Sequence, residues 1–184
     1  MIKSTISREE SILQNLETWC YEVDSRFEQM SLQAVDEFSI YANKSYVTCD
    51  LGCGDGAATR YLRTLGYPTM GVDINEEKTK NLGIVANVSI DEYVFQTKRL
   101  GNVFAHHSFE HVINIEDVIK IIGRKMNEGA TYYTIVPAKD YLHSVHHVVF
   151  ESAEELLPPG LTPIKMEYQE RNEPEFICIA QKLL

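Results

Sequence analysis

The 184-residue sequence predicts an α/β fold, a doubly wound and mostly parallel sheet of seven strands preceded by an N-terminal helical cap. Three observations predict it. Beyond residue 45, short runs rich in β-branched and aromatic residues alternate with helical stretches, as in βαβ units. A glycine-rich segment over residues 52–56 joins the first of these runs to a helix, and the chain ends in two strand-like runs. We therefore expect a helical cap over residues 1–44 and an α/β domain over residues 45–184.

The cap is predicted to be helical over residues 7–42. Ser7 and Glu10 have the spacing of a capping box at its start. Apolar residues then recur at intervals of three and four, as on one face of a helix: Ile12, Leu13, Leu16, Trp19, Cys20, Val23 and Phe27. A second, short helix is predicted over residues 32–38.

The sheet and its helices follow from the alternating pattern. Strands are predicted over residues 46–51, 69–74, 84–88, 102–106 and 131–136. Helices are predicted over residues 57–65, 76–81 and 115–127, the last two capped by Asn75 and Asn114. In the last helix, Val118, Ile121, Ile122 and Met126 form the face that should pack on the sheet.

The C-terminal part predicts an antiparallel hairpin. A histidine-rich loop and a short helix over residues 152–157 precede two strand-like runs, residues 163–169 and 175–183. The short connector between these runs suits a hairpin. Alternation of Ile164, Met166 and Tyr168 predicts that the first of the two strands has one buried face.

Composition and charge restrict the partners. The formal net charge is −10, which does not favour long-range attraction to nucleic acid or to an anionic membrane. No apolar run is long enough to span a bilayer. The first residues lack the apolar stretch of a secretory signal, and the four cysteines form no disulfide-like pattern, so we expect a cytoplasmic protein. The oligomeric state is left open.

The glycine-rich segment is compatible with two ligands. Residues 52–57 fit a dinucleotide fingerprint, with Asp73 as the acid that binds ribose. However, Asp50 and Asp55 flank this loop and would repel a pyrophosphate. S-adenosylmethionine has no phosphate and carries an ammonium and a sulfonium, which Asp50 would attract. Asp73 would then accept hydrogen bonds from both ribose hydroxyls, and Ile74 would cover the adenine. We prefer this second ligand.

Three segments resemble class I S-adenosylmethionine-dependent methyltransferases of the small type 11 kind. These are residues 50–56 (DLGCGDG), 71–74 (GVDI) and 104–112 (FAHHSFEHV). The resemblance implies a Rossmann-like methyltransferase fold and a cofactor site formed by Asp50, Gly52, Cys53, Gly54, Asp73, Ile74 and His106. The chain departs from the family after the third strand, where Asn87 or Asp91 stands in place of the usual acid that reads the adenine amino group.

All six histidines follow the fourth or the fifth predicted strand: His106, His107, His111, His143, His146 and His147. Ligands bind at the carboxyl ends of such strands, so these side chains should meet on one rim. Methyl transfer from a sulfonium is a direct displacement that needs no nucleophilic side chain. A base helps when the acceptor is a hydroxyl or a protonated amine, and His107 and His111 are the candidates.

A metal site is a further alternative. His107, Glu110 and His111 have spacing similar to the glutamate-x-x-glutamate-histidine segment of small-RNA 3′-end 2′-O-methyltransferases, and His147 resembles a later ligand. This resemblance implies a site of three imidazoles and one carboxylate, which suits zinc, iron, cobalt or nickel better than magnesium. We favour the interpretation without metal, in which helix caps and backbone hold Glu110 and His111.

The expected function is methyl transfer to a nucleophilic oxygen or nitrogen of an acceptor that the sequence does not identify, with a small molecule preferred. The metal-dependent alternative is a 2′-O-methyltransferase of RNA ends. Another alternative function is a non-catalytic module that binds S-adenosylmethionine and serves a partner subunit. The small cap and the short insertions favour it, because they leave little material for a selective pocket.

Overall fold

The computed structural model describes residues 3–4, 6–7, 9–10, 13, 25–138, 147–170 and 174–183. Its helices are α1 (Ser25–Tyr41), α2 (Ala57–Thr64), α3 (Glu76–Thr79), α4 (Ile90–Gln96) and α5 (Ile115–Lys125). Its strands are β1 (Lys3–Ser4), β2 (Thr48–Leu51), β3 (Thr69–Val72), β4 (Val85–Ala86), β5 (Asn102–His106), β6 (Thr131–Pro137), β7 (Val148–Val149), β8 (Thr162–Glu170) and β9 (Pro174–Gln181). Two 3₁₀ turns cover Phe109–His111 and Ala153–Leu156.

The main sheet has seven strands in the order β4-β3-β2-β5-β6-β9-β8. Parallel pairing joins the five strands from β4 to β6, and β9 runs antiparallel to both β6 and β8. This confirms the predicted doubly wound, mostly parallel sheet. The order reverses between β2 and β5, so the crevice at their carboxyl ends is where ligands bind in such sheets. The short strands β1 and β7 form a separate antiparallel pair.

Two helical layers cover the sheet, and β5 shows how one strand serves both. Phe104 faces α1 and α2, where it stacks on Tyr133 with ring centroids 5.4 Å apart and contacts Phe38 at 5.5 Å. Val103 and Ala105 face the opposite layer, which contains α4 and α5. Side chains alternate between the faces of a strand, so an uninterrupted apolar run is what a strand buried on both faces requires.

Most predicted elements are confirmed. The strand over residues 102–106 has its predicted bounds. The Asn75 side chain accepts a hydrogen bond from Lys78 N and caps α3. The two capping-box hydrogen bonds join Ser7 N to Glu10 Oε2 at 2.8 Å and Glu10 N to Ser7 Oγ at 3.3 Å. The predicted second helix is part of the longer α1, whereas residues 11–12 and 14–24 of the first lie outside the described residues.

One helix, α4, was not predicted, and two expectations were wrong. The buried face expected for β8 is absent, because this strand is the outer edge of the sheet: Ile164 and Tyr168 are 43% and 46% exposed, and Met166 packs partly against the core. Asn114 stands at the N-cap position of α5 without a side-chain cap bond. It donates to Asp91 Oδ2 instead, at 3.3 Å.

Within the described part of the chain, every helix is too short or too polar to cross a lipid bilayer.

Candidate cofactor and active site

The glycine-rich loop between β2 and α2 uses its backbone donors internally. The N–H groups of Gly52 and Cys53 both donate to Val72 O, at 2.7 and 3.0 Å. Gly56 N donates to Cys53 O at 2.8 Å, and Gly54 N donates to Asp73 Oδ2 at 2.8 Å. A phosphate cradle needs such donors to point at the ligand. The loop is therefore better suited to a ligand without phosphate at this point.

Gly52 is the position where the loop most needs glycine. Its φ of +81° lies in the left-handed region, and a Cβ at this position would stand 2.4 Å from Ser108 Cβ. Real Cβ atoms do not approach that closely, so a side chain here forces the segment after β5 away from the loop. The glycine thus keeps the carboxyl ends of β2 and β5 in contact.

Asp50 lies inside β2 below this loop and is 2% exposed. Its Oδ2 accepts a hydrogen bond from Thr59 Oγ1 at 2.5 Å. Burial raises the pKa of Asp50 to about 7, the Thr59 bond acts in the opposite direction, and the nearby Asp73 charge adds to the rise. A carboxylate destabilised in this way favours a cationic neighbour.

Asp73 follows β3 directly and is half-buried. Its Oδ2 accepts from Gly54 N, and its Oδ1 accepts from Asn75 N, both at 2.8 Å. Burial raises the pKa of Asp73, while these two backbone bonds lower it. Each carboxylate oxygen has two lone pairs, so one acceptor position on each oxygen remains for a ligand hydroxyl. Ile74 is half-buried beside it.

The two candidates for the adenine edge have different surroundings. Asp91 is 5% exposed, and its oxygens accept from Ser89 Oγ and from Asn114 Nδ2. Asn87 is exposed directly after β4, and its amide nitrogen donates to Thr79 Oγ1 at 2.6 Å. Asn87 therefore has the more accessible position at the carboxyl edge of the sheet.

His106 ends β5 and is held by α1. Its Nδ1 lies 3.1 Å from Ser31 Oγ, and this hydroxyl donates to Phe27 O at 3.0 Å. Because the hydroxyl hydrogen is used there, we assign the proton to His106 Nδ1, which leaves Nε2 as an acceptor. Burial, followed by the neighbouring His107, holds the pKa of His106 well below its usual value.

His107 has a φ of +49°, an uncommon conformation for a residue with a side chain. Its Nε2 lies 2.7 Å from Glu175 Oε1, and both residues are buried. Phe27 stands edge-on to this imidazole with ring centroids 5.6 Å apart. Sequence reasoning missed Glu175, because 68 residues separate it from His107 and the pairing of β9 with β6 brings it near.

Glu110 lies beside these histidines and is 1% exposed. Among the described residues, neither carboxylate oxygen has a hydrogen-bond partner. Its Oε1 is 3.8 Å from His107 Nδ1 and 3.9 Å from His111 Nε2. Burial raises the pKa of Glu110 to about 7, although the His107 charge lowers it.

His147 reaches the same region from the other side. Its backbone N donates to Glu110 O at 3.0 Å, and its ring lies 5.9 Å from that of His111. Its Nε2 is buried with no hydrogen-bond partner in the described chain, and burial lowers the pKa of His147. His143 and His146 lie outside the described residues.

The four residues of the predicted metal alternative do not meet as one group. Within the described ranges, the set of metal-binding side chains whose ligand atoms all lie within 4.8 Å of one another is His106, His107 and Glu175. Of the four predicted residues, His107 belongs to this set and Glu110 lies 3.8 Å from it, whereas Glu175 was not predicted from the sequence.

Comparison with known proteins now places the chain in a family. The sequence model of a family described as "Methyltransferase domain" matches residues 23–170, more than half of the chain. A search of curated proteins finds no match.

Solved structures show the same fold at low identity. One is TehB from Haemophilus influenzae, with a TM-score of 0.64 and 17% identity over 82% of this chain and 61% of that chain, so the present chain spans less than two thirds of TehB. A second is a SAM-dependent methyltransferase from Archaeoglobus fulgidus, with a TM-score of 0.67 and 17% identity over 84% of this chain and 94% of that chain. A third is the 1,6-didemethyltoxoflavin-N1-methyltransferase from Burkholderia thailandensis, solved with 1,6-didemethyltoxoflavin and S-adenosylhomocysteine, with a TM-score of 0.64 and 16% identity over 96% of this chain and 85% of that chain.

The fold and the glycine-loop site thus define a class I methyltransferase, and the chain belongs to the methyltransferase-domain family. The glycine-loop site, with its internally bonded backbone donors and the acids Asp50 and Asp73, fits the S-adenosylmethionine (SAM) that the sequence predicts as cofactor.

Proposed function

We propose that this enzyme transfers the methyl group of SAM to a nucleophilic oxygen or nitrogen of a small-molecule acceptor, with the cofactor bound at the carboxyl ends of β2 and β3. The observation that carries the proposal is the link between Asp73 and the glycine loop. One carboxylate ties Gly54 and Asn75 together by two hydrogen bonds of 2.8 Å and keeps an acceptor position on each oxygen.

The cofactor contacts divide between the two acids. Asp73 accepts hydrogen bonds from the two ribose hydroxyls, and Ile74 covers the adenine. Asp50 supplies negative charge for the cationic methionine end, while Gly52, Cys53 and Gly54 let the ligand approach the backbone. The accessible amide of Asn87 is our candidate for the adenine amino group.

The histidines serve the acceptor side. Alignment of the acceptor with the sulfonium supplies most of the acceleration, up to about 7–11 kcal/mol in favourable systems. His107 and His111 are the candidate bases for an acceptor hydroxyl or ammonium. His106 is held neutral by burial and lines the cofactor side of the same rim.

A small acceptor agrees with two observations. The net charge of −10 does not favour a long polyanion such as RNA. The methyltransferase from Burkholderia thailandensis, which shares the fold, is solved with a small heterocycle. The three described cysteines, Cys49, Cys53 and Cys178, are free and buried, which supports a reducing cytoplasm as the compartment.

Calorimetric titration of SAM and S-adenosylhomocysteine tests the cofactor site. Asp73→Ala removes two hydrogen bonds to a charged group, so affinity should fall by about 2–4 kcal/mol. Asp55→Ala is the matched control, because Asp55 is a partly exposed acid of the same loop whose ion pair with Arg60 is long, at 3.9 Å; affinity should change by less than about 0.5 kcal/mol. Unchanged affinity in a folded Asp73→Ala variant would refute the placement.

Turnover separates the enzyme from a non-catalytic binding module. The protein is incubated with SAM and a panel of small hydroxyl and amine acceptors, and release of S-adenosylhomocysteine is followed. Acceptor-dependent release excludes the module. Tight SAM binding with no release across the panel favours it.

A further inference from the structure

Three buried side chains with metal-binding atoms meet where β5, β6 and β9 come together. One ligand atom each from His106, His107 and Glu175 lies within 4.8 Å of the others. The three residues are 7%, 8% and 4% exposed, so the structure holds them in place rather than leaving them in solvent. His106 ends β5, His107 follows it directly, and β9 supplies the carboxylate of Glu175.

His106 is oriented as a ligand by its neighbour. In the assigned tautomer, the Ser31 hydroxyl accepts a hydrogen bond from His106 Nδ1–H, and the hydroxyl is itself fixed by its hydrogen bond to Phe27 O. Nε2 therefore carries a lone pair. Histidines that bind metals almost always donate the other ring N–H to such a partner, which fixes the tautomer and the ring plane.

The second imidazole has carboxylates on both sides. His107 Nε2 faces Glu175 Oε1 at 2.7 Å, and Nδ1 faces Glu110 Oε1 at 3.8 Å. Glu110 is 1% exposed, and neither of its oxygens has a hydrogen-bond partner among the described residues. A buried carboxylate without a hydrogen bond is rare and needs an explanation, and one possible explanation is a bound ion.

We propose that His106, His107 and Glu175 bind a divalent transition-metal ion. Glu110 is the positioning residue, toward which His107 Nδ1–H donates. When an ion replaces the proton between His107 Nε2 and Glu175, the imidazole carries its proton on Nδ1, facing Glu110. The ion thereby keeps an N–H on the side of Glu110, and Oε1 must move closer than the present 3.8 Å to accept a hydrogen bond from it.

The ligand set indicates the kind of metal. Two imidazoles and one carboxylate suit zinc, iron, cobalt or nickel and leave coordination positions for ligands from outside the protein. Two ligand atoms at about 2.0–2.2 Å from a tetrahedral ion lie about 3.3–3.6 Å apart. His107 Nε2 and Glu175 Oε1, which are 2.7 Å apart, must therefore separate by about 0.6–0.9 Å when the ion binds. An oxygen or nitrogen of the acceptor fits an open position, and His111 is the remaining candidate base when the ion occupies His107 Nε2.

Metal titration without SAM tests this site, so its failure is distinguishable from failure of the proposed cofactor site. Protein purified without a histidine tag is stripped with chelator and titrated with ZnCl₂ by calorimetry and with CoCl₂ by visible absorption. We expect one ion per chain. X-ray absorption of the wild-type Zn²⁺ and Co²⁺ forms should show two imidazoles in the first shell.

Variants then assign the ligands. Glu175→Gln should weaken Zn²⁺ binding by at least about 100-fold. Glu170→Gln changes an exposed glutamate on the opposite strand beside the same hairpin turn, and it should leave binding unchanged. Glu110→Gln should weaken binding about 10–100-fold while the first-shell spectrum stays the same, as expected of a positioning residue.

Two results would overturn the proposal. One is the absence of a stoichiometric ion in the wild type. The other is binding that survives Glu175→Gln but is lost in His111→Gln or His147→Gln, which would assign the ion to the other side of Glu110. If Glu175→Gln does not fold, the X-ray absorption spectrum of the wild type decides. Fewer than two imidazoles in the first shell would contradict the assigned set.

Discussion

The two ends of β5 are built in opposite ways. At its amino end, Asn102 is fully buried, and its side chain is fully used: Nδ2 donates to Asn43 O at 2.8 Å and approaches Thr48 Oγ1 at 3.3 Å, while Oδ1 accepts from Thr131 N at 3.0 Å. One amide therefore joins β2, β5 and β6 before any ligand is present.

At the carboxyl end, several buried polar atoms have no such partner within the described residues. They are Ser108 Oγ, both carboxylate oxygens of Glu110 and Nε2 of His147. Each unpaired buried group costs about 1–3 kcal/mol. The comparison teaches that the amino end is organised for stability, whereas the carboxyl end gives up stability to keep groups available for ligands.

The largest effect should come from the amino end. Asn102→Ala leaves the buried Thr131 N–H without its acceptor and removes the side-chain donor to Asn43 O, so the free energy of unfolding should fall by about 3–5 kcal/mol. Urea denaturation measures this, with the exposed Asn81→Ala as a control that should stay within about 0.5 kcal/mol. A loss below about 1 kcal/mol would remove the contrast between the two ends.

Two glycines in the loop after β2, which packs against the carboxyl end of β5, should differ in how much stability their substitution costs. Gly52→Ala adds a Cβ that meets Ser108, so unfolding free energy should fall by about 2–4 kcal/mol, with loss of SAM binding. Gly54→Ala shares the positive φ but meets nothing within 4 Å, so it should lose only about 1–2 kcal/mol. Thermal and urea unfolding measure both variants. Equal losses would show that backbone conformation alone matters here.

SAM affinity should depend on pH through Asp50. Burial places the pKa of Asp50 at about 7 in the unliganded protein, so the carboxyl group is increasingly protonated as the pH falls below 7. The cationic ligand favours the ionised form, and affinity should therefore fall by up to about tenfold per pH unit below 7.

Calorimetry between pH 5.5 and 7.5, a range that spans the pKa of Asp50, checks this dependence. Asp50→Asn should bind SAM more weakly at pH 7.5 and show a flat profile. If the pH profile of SAM affinity in the wild type matched that of Asp50→Asn, the Asp50 carboxylate would not interact with the charge of the ligand.

The smallest effect should come from an unpaired group. His147→Leu removes a buried nitrogen that has no hydrogen-bond partner in the described chain, so the unfolding free energy of metal-free protein should change by less than about 1 kcal/mol or rise. Differential scanning calorimetry measures it. A loss of more than about 2 kcal/mol would show that this nitrogen is satisfied in solution and that the carboxyl end is less open than the comparison states.

Prediction from sequence succeeded where the signal is local. The glycine loop and the following acid, the cap at Asn75 and the strand over 102–106 each depend on neighbours within a few residues. Helix α4 was missed because its seven residues span about two turns, too few for a periodic apolar face to be recognised. The exposed side of β8 was misjudged because alternation indicates a strand but not whether another layer covers it.

By itself, the sequence determined most of the strands and helices in their order along the chain, the turn at Gly52, and the acids Asp50 in β2 and Asp73 after β3. Hydrogen bonds and steric limits between near neighbours are enough to specify them. The tertiary structure alone decided the surroundings of the histidines. Ser31 on α1 fixes His106 from 75 residues away, and Glu175 on β9 reaches His107 from 68 residues away. Such contacts arise from strand pairing and helix packing across the whole chain, and no local pattern of residues encodes them.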